Sequence, residues 1–260
     1  MEFLIYPALG VMAGLAAGLL GVGGGLIIVP VLIYSFSLLG FPPEVLTHMA
    51  VGTSLATIIL TSFGSVYQHH RKGAVLWPIL TWYALGLAVG AFLGAKLADV
   101  IHGRLLQILF GVFAILIAIQ MASGVKPRGS RELPGALGLS LTGGIIGAVS
   151  AIFGIGGGSL SVPFLTWCNV KMQQAVATSA AGGMPIALAG SLGFVLAGWD
   201  KPVPEYSLGY VYLPALLGIA VTSVLFALVG ARLAHRLPAA TLKKIFAGLL
   251  LLVGVKLLLG

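Results

Sequence analysis

Apolar residues run almost without a break through this chain, and glycine interrupts them more often than charge does. Six plain stretches, 46–68, 74–98, 104–122, 173–198, 208–231 and 240–259, have roughly the ~20 residues that a membrane-spanning helix needs. Two longer stretches, 3–40 and 135–169, are broken inside. "GLLGVGGGLIIVP" (18–30) and "AIFGIGGGSLSVP" (151–163) share a Gly-apolar-Gly-Gly-Gly core, and each has a Pro five residues after the last Gly. Residues 26–40, if helical, cover only about 22 Å at ~1.5 Å per residue, against a hydrocarbon core of ~30 Å. Each broken element is therefore expected to be a hairpin dipping into the membrane or a pair of tilted short helices. Either form enters and leaves on the same side.

Composition turns this pattern into a class. Hydrophobic residues make up 59% of the chain, charged residues 8%, and the mean hydropathy is +1.11. A soluble domain carries roughly 25% charged residues, so the expected fold class is an all-α polytopic membrane protein. The 38 glycines show no collagen-like period and point to tight helix packing and deliberate helix breaks. The single Cys168 excludes an internal disulfide and a cysteine-based metal cluster. "MEFLIYPALG" is acidic rather than basic and reads as part of the first hydrophobic element, not as a leader. In a membrane chain the net charge of +8 reflects basic cytoplasmic loops rather than a nucleic-acid partner.

The chain also resembles itself. Gly21–Pro30 matches Gly154–Pro163 at an offset of 133, "AVGTSL" (50–55) matches "AVATSA" (175–180) at 125, and "GAKLAD" (94–99) matches "GARLAH" (230–235) at 136. Pro78 and Phe110 fall on Pro214 and Phe246 at the same 136. The expected organisation is a first repeat over 1–122, a cytoplasmic linker over 123–134 and a second repeat over 135–260, all in one transmembrane domain. Each half then holds one Gly-broken helical hairpin plus three transmembrane helices. Three crossings plus a returning element is an odd count, so the second half must insert upside down, giving an inverted structural repeat. With the start outside, the cytoplasmic side receives Arg71, Lys72, Lys126, Arg128, Arg131, Lys171, Arg232, Arg236, Lys243 and Lys244, ten of the fourteen basic residues. The bias of basic residues sets orientation, so both termini are expected on the outer side of a bacterial-type plasma (inner) membrane. Inverted repeats recur among secondary transporters.

The breaks suggest a purpose. Gly23, Gly24 and Gly25, with Gly156, Gly157 and Gly158, would let the backbone turn and a ligand approach closely. Helices restarting at about Leu26 and Ser159 would aim free N–H groups and the positive end of the helix dipole at the break. That makes an anion site without a charged side chain. The bland alternative is close helix packing by small residues. "GVGGGLIIVPVL" and "GIGGGSLSVPFL", followed by "VGTSLATI" and "VATSAAGG", resemble the sulfite exporter TauE/SafE family of membrane transporters along essentially the whole chain. The resemblance implies a substrate that is a small sulfur-containing anion such as sulfite, a sulfonate or a related organosulfur compound.

Other residues could add donors. Thr53 and Ser54 pair by repeat with Thr178 and Ser179, and their hydroxyls could meet oxyanion oxygens or merely satisfy helix carbonyls. His48 aligns with Gln173; it could donate to an anion or take up a proton. Gln173 and Gln174 are neutral donors. His69, His70, Arg71 and Lys72 read as a topology marker, and Lys96 and Arg232 as snorkelling cations. Asp99 and Glu132 lie at expected element ends, unlike a buried proton relay. Cys168 reads as an inert buried thiol, and Trp77, Trp82, Trp167 and Trp199 as interfacial anchors.

The substrate-binding set is therefore these six glycines, Thr53, Ser54, Thr178, Ser179, His48, Gln173 and Gln174, with no catalytic residue, metal or cofactor. Membrane lipid and the anion are the expected partners, and the Gly-rich helices leave a homo-oligomer open. The first function class is a non-enzymatic secondary transporter working by alternating access. An anion channel of the same architecture is the alternative. An intramembrane serine hydrolase using Ser159 or Ser54 with His48 is a third, but "GIGGGSLSV" lacks the G-x-S-x-G elbow.

Overall fold

In a computed structural model of the chain, residues 5–20, 24–123, 131–234 and 239–259 are described; Gly23 and linker residues 124–130 lie outside them. The helices run α1 (Ile5–Leu20), α2 (Gly25–Leu38), α3 (Pro43–Arg71), α4 (Trp77–Asp99) and α5 (Gly103–Ser123), then α6 (Ala136–Ile152), α7 (Gly158–Trp167), α8 (Met172–Ala197), α9 (Leu213–Ala234) and α10 (Ala239–Leu259). One order of lengths occurs twice, two short helices followed by three long ones. Among the described residues α3, α4, α5 and α8 are long and apolar enough to cross a membrane. The fold is that of an all-α membrane protein.

One element departs from expectation. The helix expected over 208–231 starts only at Leu213, because Ser207–Leu208 (β1) pairs antiparallel with Val211–Tyr212 (β2). Tyr206 and Gly209 take up positive φ angles of 63° and 53° and turn the chain back on itself. The apolar count through this hairpin is as high as in a helix, so hydropathy alone could not separate the two.

The surface of α4 shows what surrounds the molecule. Leu85, Val89, Leu93 and Leu97 are each more than half exposed, while Gly86, Gly90 and Gly94, one position on, are buried. The exposed row suits hydrocarbon and the glycine row receives a neighbouring backbone. That neighbour is α6: a Cβ on Gly86, Gly90 or Gly94 would come within 3.0 Å of backbone atoms of Ser140, Gly144 or Ala148. From the other side, Gly143 and Gly147 of α6 face the carbonyls of Tyr83 and Leu87 on α4. α1 and α9 repeat the arrangement, with Gly10 and Gly14 facing the carbonyls of Ile219 and Ser223. The short first helix of each half of the chain thus leans on the fourth helix of the other half.

Both broken elements bring their two ends back together. Before α6, the Arg131 N–H donates to Trp167 O at the end of α7 (3.4 Å), and Asn169 Nδ2 donates to Arg131 O (2.9 Å). The Arg131 guanidinium also covers the Trp167 ring, 4.6 Å from its centre. In the first element, Tyr6 near the start of α1 and Phe36 near the end of α2 both pack on the Tyr212 ring, with centroids 6.0 and 5.6 Å away. α6–α7 is therefore a hairpin, and α1–α2 brings its two ends onto one residue. With 14 residues in α2 and 10 in α7, the second arms reach only about 21 and 15 Å at ~1.5 Å per residue. Neither crosses a ~30 Å core.

Candidate functional site

The tips of the two hairpins meet in the interior. At the second tip the chain leaves α6 at Ile152 and turns through Gly154 (φ +63°) and Gly157 (φ +75°), both left-handed conformations that favour glycine. Gly157 caps α7, its carbonyl accepting from Leu160 N (3.1 Å) and Ser161 N (2.8 Å). The amides of Gly158 and Ser159 belong to the first turn, which has no intrahelical acceptors. At the first tip, Gly24 caps α2 in an ordinary right-handed conformation (φ −62°, ψ −10°), its carbonyl accepting from Ile27 and Ile28. Both helices start one residue earlier than expected, at Gly25 and Gly158. A Cβ on Gly25 would overlap Gly154 O and lie 2.9 Å from Ile155 Cα, so the first tip is seated directly on the second. Gly156 is held likewise, its carbonyl 2.9 Å from where a Cβ on Gly183 of α8 would be.

The hydroxyls divide into engaged and unengaged. Ser54 Oγ donates to Gly154 O at 2.8 Å, tying α3 to the second tip. Thr53 Oγ1 accepts the Tyr212 N–H at 3.0 Å, and Thr178 Oγ1 accepts the Leu76 N–H at 3.0 Å. Tyr212 and Leu76 are the residues immediately before α9 and α4. Each threonine therefore caps the fourth helix of the opposite half of the chain, where an unmade bond would leave a backbone N–H orphaned. Ser179, at 1% exposure, has no hydrogen-bond partner among the described residues. Replacing Thr53 or Thr178 by Val is expected to cost about 1–3 kcal/mol, the price of one buried N–H left unsatisfied. Thermal unfolding should show similar losses for the two variants, and anion affinity should be unchanged in both.

His48 and the glutamines lie elsewhere. His48 is buried at 3% exposure, with Nε2 3.1 Å from Ala98 O and 3.0 Å from Ile101 O, so it carries its proton there and donates to the end of α4. Its ring stacks on Tyr210 at 5.1 Å. Tyr210 donates to Asp99 Oδ1 at 2.8 Å, and Asp99 lies 3.7 Å from Lys201. Burial first, then the hydrogen bond to Asp99 and its charge, push the Tyr210 phenol well up, so it remains a donor. Through Nε2 the ring fastens α3 to the α4–α5 turn, while Nδ1 is buried without a partner among the described residues. Gln173 is exposed and Gln174 half-buried in the first turn of α8. Cys168 is buried and its thiol is pushed up by burial, which disfavours the nucleophilic thiolate. Ser54 and His48 are each engaged with a different carbonyl set, so they do not form a nucleophile–base pair.

The buried polar groups of the described residues include no Lys, Arg, Asp or Glu, and no three His, Cys, Asp or Glu among them could hold a metal. What the interior offers is hydroxyls and amides. Sequence reasoning missed some of these. Ser150 on α6 is fully buried with an unpartnered hydroxyl, and Tyr83 OH donates to Ser161 Oγ at 2.7 Å. The repeat held a usable signal: at the offset of 133, Ser150, Ser159 and Ser161 stand where the first half has Ala17, Leu26 and Ile28.

Comparison with known proteins places the sequence in a family. Residues 6–257 match the family described as sulfite exporter TauE/SafE. A Haemophilus influenzae protein named "Probable membrane transporter protein" is 38% identical over 258 residues, covering 98% of both chains. A protein of the same description from Methanocaldococcus jannaschii is 29% identical, covering 99% of this chain and 97% of its own. One from Bacillus subtilis is 30% identical, covering 93% and 96%. No solved structure matches the chain. The two glycine tips meet inside the apolar bundle of a multi-pass membrane transporter, and the chain belongs to the sulfite exporter TauE/SafE family.

Proposed function

We propose that this chain is a secondary transporter for small sulfur-containing anions, sulfite or sulfonates, working by alternating access between two inverted repeats. The observation that carries the reading is the seating of Gly25 on Gly154 and Ile155, which joins two re-entrant tips from opposite halves of the chain. Interrupted helices of this kind supply backbone amides at depth, where an anion can be held without a buried cation. The inverted repeat is supported by three reciprocal pairs of contacts. Gly10 and Gly143 face Ile219 and Tyr83, Gly14 and Gly147 face Ser223 and Leu87, and Thr53 and Thr178 cap Tyr212 and Leu76. In each pair the two members are related by the sequence offsets of 133, 136 or 125. The sulfur-anion class is supported by the family and by neutral donors suited to oxyanion oxygens. The charge bias supports termini on the outer face of an inner membrane.

Liposomes holding the purified chain test the proposal. Labelled sulfite or sulfoacetate is expected to enter faster when unlabelled substrate is loaded on the opposite side, as an exchanging carrier requires. Flux that is insensitive to the opposing pool would identify a channel. Flux of acetate and chloride equal to that of sulfite would overturn the substrate class.

A further inference from the structure

The two tips differ in chemistry as well as in the backbone of their capping glycines, Gly24 being right-handed and Gly157 left-handed. Around the second tip, Ser150 Oγ and Ser159 Oγ are both buried without a hydrogen-bond partner. Ser150 has 0% exposure, and its Oγ lies 3.6 Å from the point a Cβ on Gly157 would occupy, so it is aimed at the capping residue of α7. Ser161 Oγ lies at the same 3.6 Å and accepts from Tyr83 OH. Ser159 is the second residue of α7, in the turn whose amides lack intrahelical acceptors. Gly157 brings no capping side chain. The Cδ1 of Ile186, the far end of a flexible side chain, lies 2.5 Å from that Cβ point. At the first tip the corresponding positions are Ala17, Leu26 and Ile28, Ile219 stands where Tyr83 would, and Gly25 is closed against Gly154.

Resting on the transport reading, we infer that the anion is bound at one tip only. Ser150, Ser159 and the first-turn amides of α7 hold it, and Gly25 and Leu26 at the start of α2, which bring no hydroxyl, make no ligand contact. A buried hydroxyl left unpaired is costly, and a small oxyanion at the uncapped start of α7 would satisfy the Ser150 and Ser159 hydroxyls together. The ligand class is a sulfite or sulfonate group, whose oxygens accept several hydrogen bonds at once. Chloride offers a single acceptor centre and cannot place separate oxygens before separate donors.

The test is anion binding to the full chain in detergent, read by calorimetry with sulfite and sulfoacetate as probes. Ser150→Ala and Ser159→Ala are each expected to weaken binding about tenfold and to leave the ligand-free unfolding temperature unchanged or raised, because each removes an unpaired polar group. Ser35→Ala, another buried unpartnered hydroxyl but on α2, is expected to bind as the unaltered chain does. Unaltered affinity in both Ser150→Ala and Ser159→Ala would overturn the one-tip site and leave the transport reading standing, the serines then being satisfied by water. Equal losses in Ser35→Ala would also overturn it. Absence of saturable binding by the unaltered chain would overturn the sulfur-anion reading and this inference with it. If Ser150→Ala fails to fold, Ser159→Ala decides alone, since residue 159 stands in the first turn of α7 and not within the α4–α6 seam.

Discussion

Gly25→Val is expected to abolish transport and to lower the unfolding temperature of the purified chain. The added Cβ would overlap Gly154 O and come within 2.9 Å of Ile155 Cα and 3.2 Å of Ile58 Cδ1. Two of these three neighbours are backbone, so the strain cannot be relieved by a rotamer change. The first tip must lift away from the second, and the Ser54–Gly154 hydrogen bond is then put under tension. Overpacking alone costs about 1–3 kcal/mol, and the displaced tip adds the loss of whatever the two tips do together. Gly64→Ala on α3 is the comparison, since nothing lies within 4 Å of its Cβ position. That variant is expected to be neutral or to stabilise by up to about 1 kcal/mol through helix propensity. Liposome flux and thermal unfolding of the two variants decide. Full transport by Gly25→Val would show that the tips need not touch.

The second large effect is expected at the α4–α6 seam. Gly147→Leu would drive a side chain into the Leu87 carbonyl and the backbone around it. Helices in lipid associate through close packing rather than hydrophobic exclusion, so an ångström of separation forfeits much of what holds this pair together. A loss beyond about 3 kcal/mol is expected, seen as failure to elute as one folded species. Gly144→Ala sits three residues earlier and meets only Gly86 O at 3.9 Å, an ordinary contact. It is expected to elute and unfold as the unaltered chain does. Equal behaviour of the two variants would show that the seam tolerates spreading.

These contrasts mark how far the sequence could be read. The glycine tips were legible because three consecutive glycines inside an apolar run have few other uses, and because they occur twice. The threonines were legible as a pair, but their role was not. Thr53 and Thr178 meet Tyr212 and Leu76, more than a hundred residues away, and nothing local distinguishes a hydroxyl that caps a distant helix from one that waits for a ligand. The acceptors of His48 were hidden for the same reason, since Ala98 and Ile101 lie some fifty residues on. Ser150 was hidden because the repeat sets it against Ala17, so nothing shared between the halves marks it. The chemistry of the second tip lies where they differ, at Ala17 against Ser150 and Leu26 against Ser159. The hairpin before α9 was hidden because Val211 and Tyr212 are as apolar as the helix they precede.

The exchange of first helices has a consequence for how the chain is made. α6 emerges after α4, so the surface that Gly143 and Gly147 need is already in place when they arrive. α1 has no such luck: its partner α9 begins at Leu213, and at about 5–20 residues per second synthesis reaches it some 10–40 s later. For that interval the face carrying Gly10 and Gly14 has only lipid or the insertion machinery against it. The two seams, alike in the finished molecule, are unlike in their history, and α1 is the helix whose docking has to wait for α9.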